Sequence, residues 1–363
     1  MLGLSAVAAC QVLAGLEERK LALVVDGGGG DAGGDAAPDP CTSVGVPPRP
    51  TGAPGPDTTS LVFALTTIDF GLDAGPTGPY GFNLDKTCTC PGAATCVLPD
   101  GGKVCDVGNR GVDNNGNLVF KKAADLNFVT QDQLNFALSR GQSGALLRID
   151  NYNGQRDDSQ ARLAVFSSLG LEGYLDGGVP KFNGLDRWTL EDQSVLGGAI
   201  SDAGAKPKFS DETAWVTANQ IVGALDFPIT IGSQDNSPVT IELTGGVIVA
   251  TLGVKAGLRT LSGTFSGRWE AKRMLLSFQS YVDPLDTTKH VCGDSIAYQG
   301  LKSITCGAVD IARTQNLDNT GSNCDALAVG IHFEAVEAQL GTVASRPDGG
   351  FPCGADWSPS CTQ

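Results

Sequence analysis

The chain has 363 residues, of which 11 are Cys and 2 are His, and a formal net charge of −15 at pH 7. That charge repels a phosphate backbone and argues against nucleic acid as a partner. With only His290 and His332 available, and neither an HExxH nor a P-loop sequence present, metal hydrolysis and nucleotide chemistry have little to build on.

The first ten residues read MLGLSAVAAC. Val7-Ala8-Ala9-Cys10 resembles a bacterial lipobox, in which small residues precede a cysteine that is acylated and becomes the new N-terminus. The resemblance implies lipidation at Cys10, residues 1–10 as a signal remnant, and the membrane as a partner through acyl chains. Gln11 is not the aspartate that retains such proteins on the inner membrane, so the implied address is the outer membrane or cell surface, with the periplasmic side left open. Nine residues precede Cys10 and none is basic, so the expectation includes upstream codons for Lys or Arg and more apolar residues. No stretch reaches the roughly 18 apolar residues of a spanning helix.

Residues 11–57 are expected to be a disordered tether. Asp26–Asp57 is a Gly/Pro/Ala run with five aspartates and one arginine, unable to bury a core. Gly28–Gly33 satisfies GxGxxG only because the run is nearly all Gly, Ala and Asp, with no helix to follow. Cys41 is expected to pin the tether's far end to the body.

From 58 to 342 the composition turns globular. Ser60–Gly71, Ala145–Asp150, Arg162–Ser167, Thr213–Ala218, Ile221–Ile231 and Val239–Val254 read as strands, rich in Val, Ile and Thr between Gly and Pro turns. Leu327, Val329, Ile331 and Phe333 alternate with smaller or polar residues and mark another strand. Helices are few: Thr130–Arg140 carries a capping-box pattern with Gln133, and Ala271–Tyr281 and Ser295–Ala308 follow. This pattern predicts a mainly β fold, a two-sheet sandwich of jelly-roll or concanavalin-like type, closed by Ser60–Gly71 beside Asp325–Gln339.

The segment 85–118 interrupts the body with Cys88, Cys90, Cys96 and Cys105. Their gaps do not suit a zinc knuckle, so disulfides are expected, with Cys88 and Cys90 each reaching Cys96 or Cys105. Within it, Asp106, Asp113, Asn115 and Asn117 offer oxygens in the alternating manner of a calcium loop, although Leu118 and Ala124 stand where an EF-hand-type loop has Gly and Glu. Ca2+ is therefore one reading. The other is a plain turn at Asn115-Gly116 opening a strand over Asn117–Lys121. Later cysteines, Cys292, Cys306, Cys324, Cys353 and Cys361, complete five expected bridges. The pairings expected are Cys353 with Cys361 inside a 343–363 tail, Cys292 with Cys306, and Cys324 with Cys41.

Gly293-Asp294-Ser295-Ile296 resembles the nucleophile block of SGNH-type esterases, but Val329 stands where that family's Asp-x-x-His would need its aspartate before His332. The plainer role for Ser295 is a helix cap. Asp150, Asn151, Tyr152, Asn153, Asp157 and Asp158 form a polar loop after a strand, either a ligand lip for sugar or calcium or a solvated hairpin end. Aromatics amount to 6%, too few for a long sugar-stacking platform. Lipobox, tether, Cys-rich GVDN loop and β-rich body together resemble uncharacterised surface lipoproteins of Gram-negative bacteria. The resemblance covers the layout, implies a lipid-anchored envelope protein and carries no active site across; the leading expectation is a non-enzymatic part, binding an envelope glycan or protein or structural, and the alternative is a secreted hydrolase of glycans or esters.

Overall fold

Thr59–Asp69 (β1) places Leu61, Phe63 and Leu65 on one side, and a bulge between Leu65 and Thr67 brings Ile68 back to that side. The computed structural model describes residues 45–52, 59–72, 80–89, 94–99, 106, 111–126, 128, 130–198, 205–232, 238–346, 352–354 and 356–361. Cys10, Cys41, Cys90, Cys105 and most of the expected tether lie outside the described residues. The strands after β1 are β2 (Gly144–Tyr152), β3 (Asp158–Leu171), β4 (Arg187–Glu191), β5 (Phe209–Thr217), β6 (Gln220–Ala224), β7 (Phe227–Ile231), β8 (Val239–Lys255) and β9 (Leu258–Glu270). A small hairpin, β10 (Val282–Asp283) and β11 (Asp286–His290), precedes β12 (Ala326–Glu337) and β13 (Gln339–Ala344).

The two-sheet sandwich, jelly-roll or concanavalin-like, is corrected by the hydrogen-bond ladder. It runs without a break through β3, β2, β1, β12, β9, β8, β6 and β5 and returns to β3, an eight-stranded antiparallel barrel. Length makes closure possible. β3 has 14 residues, β8 has 17 and β9 has 13, against about 5–6 for an ordinary strand. A long strand can hold two partners on one edge: β3 pairs β5 through Asp158–Val165 and β4 through Ser168–Leu171. Likewise β8 pairs β7 before, and β6 after, the irregular Gly245–Gly246. The expected contact of the first strand with the last long one is present, as β1 pairs β12.

Eight strands enclose a space that side chains alone can fill. Phe63, Leu147, Leu163, Val216, Ile221, Ile248, Phe265 and Phe333, one from each strand, are all fully buried in one contiguous cluster. Phe265 and Phe333 stack at 4.0 Å. Each such ring contributes about 1.5–3 kcal/mol of burial. Four helices, α1 (Gly116–Asp125), α2 (Gln131–Ser139), α3 (Ala271–Ser277) and α4 (Ile296–Gly307), join this core where β1 and β9 end. Phe120 of α1 stacks on Phe70 at 3.9 Å and tilts against Trp269. α2 has its expected capping box, Thr130 with Gln133.

Outside the ring, Ala64, Leu146, Ala164 and Phe166 are covered by Trp188, Leu190 and Val195. Across the wall, Leu84 and Ile311 cover Ala326 and Ala328. The strand expected over Asn117–Lys121 is corrected: these residues belong to α1, which buries Val119, Phe120 and Ala123. Gly116 starts it where a Cβ would lie 2.6 Å from Val329 Cγ2, so glycine is needed for close approach to β12.

The expected disulfide pairings are also corrected. Cys96 bonds Cys324, Cys292 bonds Cys353, and Cys306 bonds Cys361. Cys88 is disulfide-bonded as well. Thus the tail is tied to the two ends of α4 and not to itself, and Trp357 packs edge-on against Tyr298.

Candidate functional site

Of Asp106, Asp113, Asn115 and Asn117, the structure brings the two aspartates within hydrogen-bond reach of each other. The asparagines face other tasks. Asn117 Nδ2 donates to the carbonyls of Phe70 and Gly71, 3.0 Å each. Asn115 sits at the N-cap of α1, and its backbone N–H reaches Asp310. Among the described residues, no three acidic, His or Cys side chains are placed to hold a metal ion.

What surrounds Asp113 is a buried acid cluster on the outer face of β9 and β12. Asp113 Oδ2 accepts from the backbone of Leu84 (2.6 Å) and Asp85 (3.2 Å). Thr95 Oγ1 donates to Asp85 at 2.8 Å, Thr89 N donates to Asp106 at 2.8 Å, and Ala328 N donates to Asp310 at 2.8 Å. The one buried cation among the described residues here is Arg268, held by Asp318 (2.5 and 2.8 Å) and the carbonyls of Ala312 and Leu84. Burial, with repulsion from the neighbouring acids, pushes Asp113 up to about 9 and Asp310 up to about 8. Asp85 and Asp106 are raised too, chiefly by burial. At neutral pH, Asp113 and Asp310 therefore act as neutral carboxyls, able to donate as well as accept.

Asp150, Asn151, Tyr152, Asn153, Asp157 and Asp158 form the β2–β3 hairpin end, and their polar atoms are used locally. Asp150 pairs with Arg148 at 2.7 Å. Tyr152 Oη donates to Gln155 O, Asn153 N to Asp158 and Asn153 Nδ2 to Asp157 O, while Ala218 N donates to the Asp157 carboxylate. Asn151, inside β2 where its register with β1 shifts, has a positive φ of 55°. Neither cleft described below is lined by these six residues.

Ser295 is the N-cap of α4, its Oγ accepting from Tyr298 N at 2.9 Å, and so serves the capping role. His332 lies on the outer barrel face under Tyr80, rings 4.9 Å apart, with Ser262 Oγ 3.5 Å from Nε2. Burial lowers its pKa. Tyr80 Oη donates to Asp69, and both border an open cleft of about 380 Å³ with the first turn of α2.

The larger opening, about 470 Å³, lies in the barrel wall where β5 runs out and β4 takes over the edge of β3. Its floor is the outward face of β7 and β8. Inward residues Phe227, Ile229, Ile241 and Leu243 are buried in the core, which leaves Pro228, Thr230, Thr240, Glu242 and Thr244 facing the cleft. Thr230 and Thr240 share a 3.1 Å hydrogen bond. The walls come from Ser167, Glu191, Ser194, Lys208, Phe209, Asp226 and Arg346. Arg346 grips the buried Glu191 carboxylate with two bonds, 2.9 and 3.2 Å. Gly245 N donates to Asp226 Oδ1 at 2.7 Å, and Arg273 stands 3.7 Å from Glu242.

Sequence reasoning did not single out Asp310, Arg268 or any cleft residue. A signal existed for the cleft floor, since Pro-Val-Thr-Ile-Glu-Leu-Thr at 238–244 alternates polar and apolar and assigns Thr240, Glu242 and Thr244 to one face. Compared with known proteins, the chain matches no family model, no curated protein and no solved structure.

Proposed function

We propose that this chain is a lipid-anchored cell-envelope protein that binds a ligand on the outside of a rigid barrel and has no catalytic role. The observation that carries the binding role is the open polar cleft in the wall. The interior is filled by side chains, so recognition falls to the exterior. The fold also carries an apolar lumen and polar outward positions on β8 and β9, such as Thr251, Ser262 and Thr264. That polarity is the reverse of a membrane-spanning barrel and suits a body held at a surface by an anchor. Bridges such as Cys96–Cys324 favour an oxidising compartment outside the cytoplasm. The Ser295 cap removes the main support for the ester-hydrolase alternative.

Labelled fatty acid fed to expressing cells tests the anchor. Incorporation that Cys10→Ser abolishes, with release of the protein from the membrane fraction, is expected. Labelling unchanged in that variant would overturn the lipoprotein assignment.

A further inference from the structure

The wall cleft departs from the rest of the molecule in its charge balance. The chain as a whole carries −15. Within the cleft, Glu191 is held by Arg346, Glu242 stands 3.7 Å from Arg273 at the rim, which also lies 3.9 Å from Glu270, and Asp226 and Lys208 line the same walls. A charged ligand would disturb one of these pairings and leave its partner desolvated without compensation. An apolar ligand would strip water from Thr240, Glu242 and Lys208 and give nothing back. A ligand dense in hydroxyls meets neither cost, because each hydroxyl both donates and accepts. Asp226 Oδ1 is held by Gly245 N, and Oδ2 has no partner among the described residues. Pro228 and the half-buried Phe209 add an apolar patch beside the hydroxyl pair. A cleft of about 470 Å³ falls within the range of about 300–1,000 Å³ typical of small-molecule sites.

We infer that the cleft binds a neutral mono- or disaccharide, with Thr240, Asp226 and Glu242 contacting its hydroxyls, the buried Thr230 holding the Thr240 hydroxyl in place, and Pro228 and Phe209 packing against its C–H face. The inference rests on the binding role proposed above and names the chemistry of the ligand.

Calorimetry and saturation-transfer NMR on the full chain test it with maltose, cellobiose, N,N′-diacetylchitobiose and mannobiose. Digalacturonate and the glucosamine dimer serve as anionic and cationic comparators. Saturable binding of at least one neutral sugar is expected, weakened about tenfold by Thr230→Val combined with Thr240→Val, which removes two hydroxyls at nearly constant shape. Asp226→Asn, which keeps an acceptor for Gly245 N, is expected to weaken it by a similar factor. Unaltered melting curves confirm that both variants fold. No saturable binding to any neutral sugar, tighter binding of a charged one, or binding indifferent to both variants would overturn the inference. A protein that is acylated at Cys10 but binds no sugar loses this inference and keeps the proposed function. A neutral sugar bound and also cleaved keeps the site and overturns the non-catalytic role.

Discussion

The outer face of β9 and β12 and the cleft along β7 and β8 both gather acidic side chains, under opposite rules. On the first face, Asp85, Asp106, Asp113 and Asp310 repel one another in a buried cluster, and the one buried guanidinium there among the described residues, that of Arg268, is held by Asp318 and lies near Asp85. Such a cluster can be buried only if some acids stay protonated, and the raised Asp113 and Asp310 meet that need. At the cleft, the buried Glu191 is held by Arg346, and the more exposed Glu242 stands 3.7 Å from Arg273, which it shares with Glu270. Burial without a counterion turns carboxylates into structural hydrogen-bonding groups. Charges paired at a rim leave a polar surface open to solvent.

The contrast is broken most severely by removing the one guanidinium. Arg268→Met leaves Asp318 buried without its partner and the Leu84 and Ala312 carbonyls without a donor. A loss of about 3–5 kcal/mol in urea unfolding is expected. By contrast, Arg273→Met at the cleft rim, where the pair is exposed, should cost no more than about 1 kcal/mol. Next comes the staple. Cys96→Ser with Cys324→Ser opens a link between residues 228 apart and is expected to cost about 2–5 kcal/mol.

A pH series then separates the two regions. Asp113 and Asp310 have folded pKa values above their unfolded ones, so between about pH 4 and pH 9 the folded state holds more protons. Stability from this source is complete below pH 4 and is lost as pH rises through 8 to 9. Asp113→Asn, which mimics the neutral carboxyl, should match the wild type near pH 4 and exceed it at pH 9. An identical pH profile for both proteins would show that Asp113 is ionised throughout. Because Asn117 Nδ2 is turned to the Phe70 and Gly71 carbonyls and no metal-holding trio occurs among the described residues, millimolar calcium and EDTA are expected to leave the melting temperature unchanged. A rise with calcium that Asp113→Asn removes would put a cation in place of the protons.

Much of the local structure was legible because its causes are local. The Thr130–Gln133 box fixes the start of α2, and the run around Phe63 and Leu65 marks β1. Barrel closure was not, since inward-outward alternation is the same in a sandwich and in a barrel. Closure depends on β3 meeting β5 as well as β2, a matter of length and register between distant strands. α1 was missed because Asn114-Asn115-Gly116-Asn117 has turn chemistry, and its helical signal rests on Val119, Phe120 and Ala123 packing into a core not visible locally. The acid cluster was half visible. Asp106 and Asp113 lie in one loop, but Asp310 and Arg268 arrive from about 150 to 200 residues away. The Cys96–Cys324 bridge has the same long reach.

The smallest expected effect concerns Ser295, a polar group closed on its own helix, whereas the buried acids are closed on distant segments. Its Oγ accepts from Tyr298 N at 2.9 Å, satisfying one of the exposed amides of α4. Ser295→Ala leaves that amide without an acceptor and should lower stability by about 1 kcal/mol. Ser295→Asp restores an acceptor and adds a negative charge at the helix start, so it should recover most of the loss. An esterase nucleophile would respond differently, because aspartate cannot replace a serine hydroxyl in acyl transfer and both variants would be equally inactive. Unfolding curves and turnover of a p-nitrophenyl ester, measured on the same three proteins, separate the two roles. Stability that falls in the alanine variant and returns in the aspartate variant, with ester turnover at background in all three, identifies a cap. Turnover by the wild type that both variants abolish would make Ser295 a nucleophile and return the chain to the hydrolase alternative.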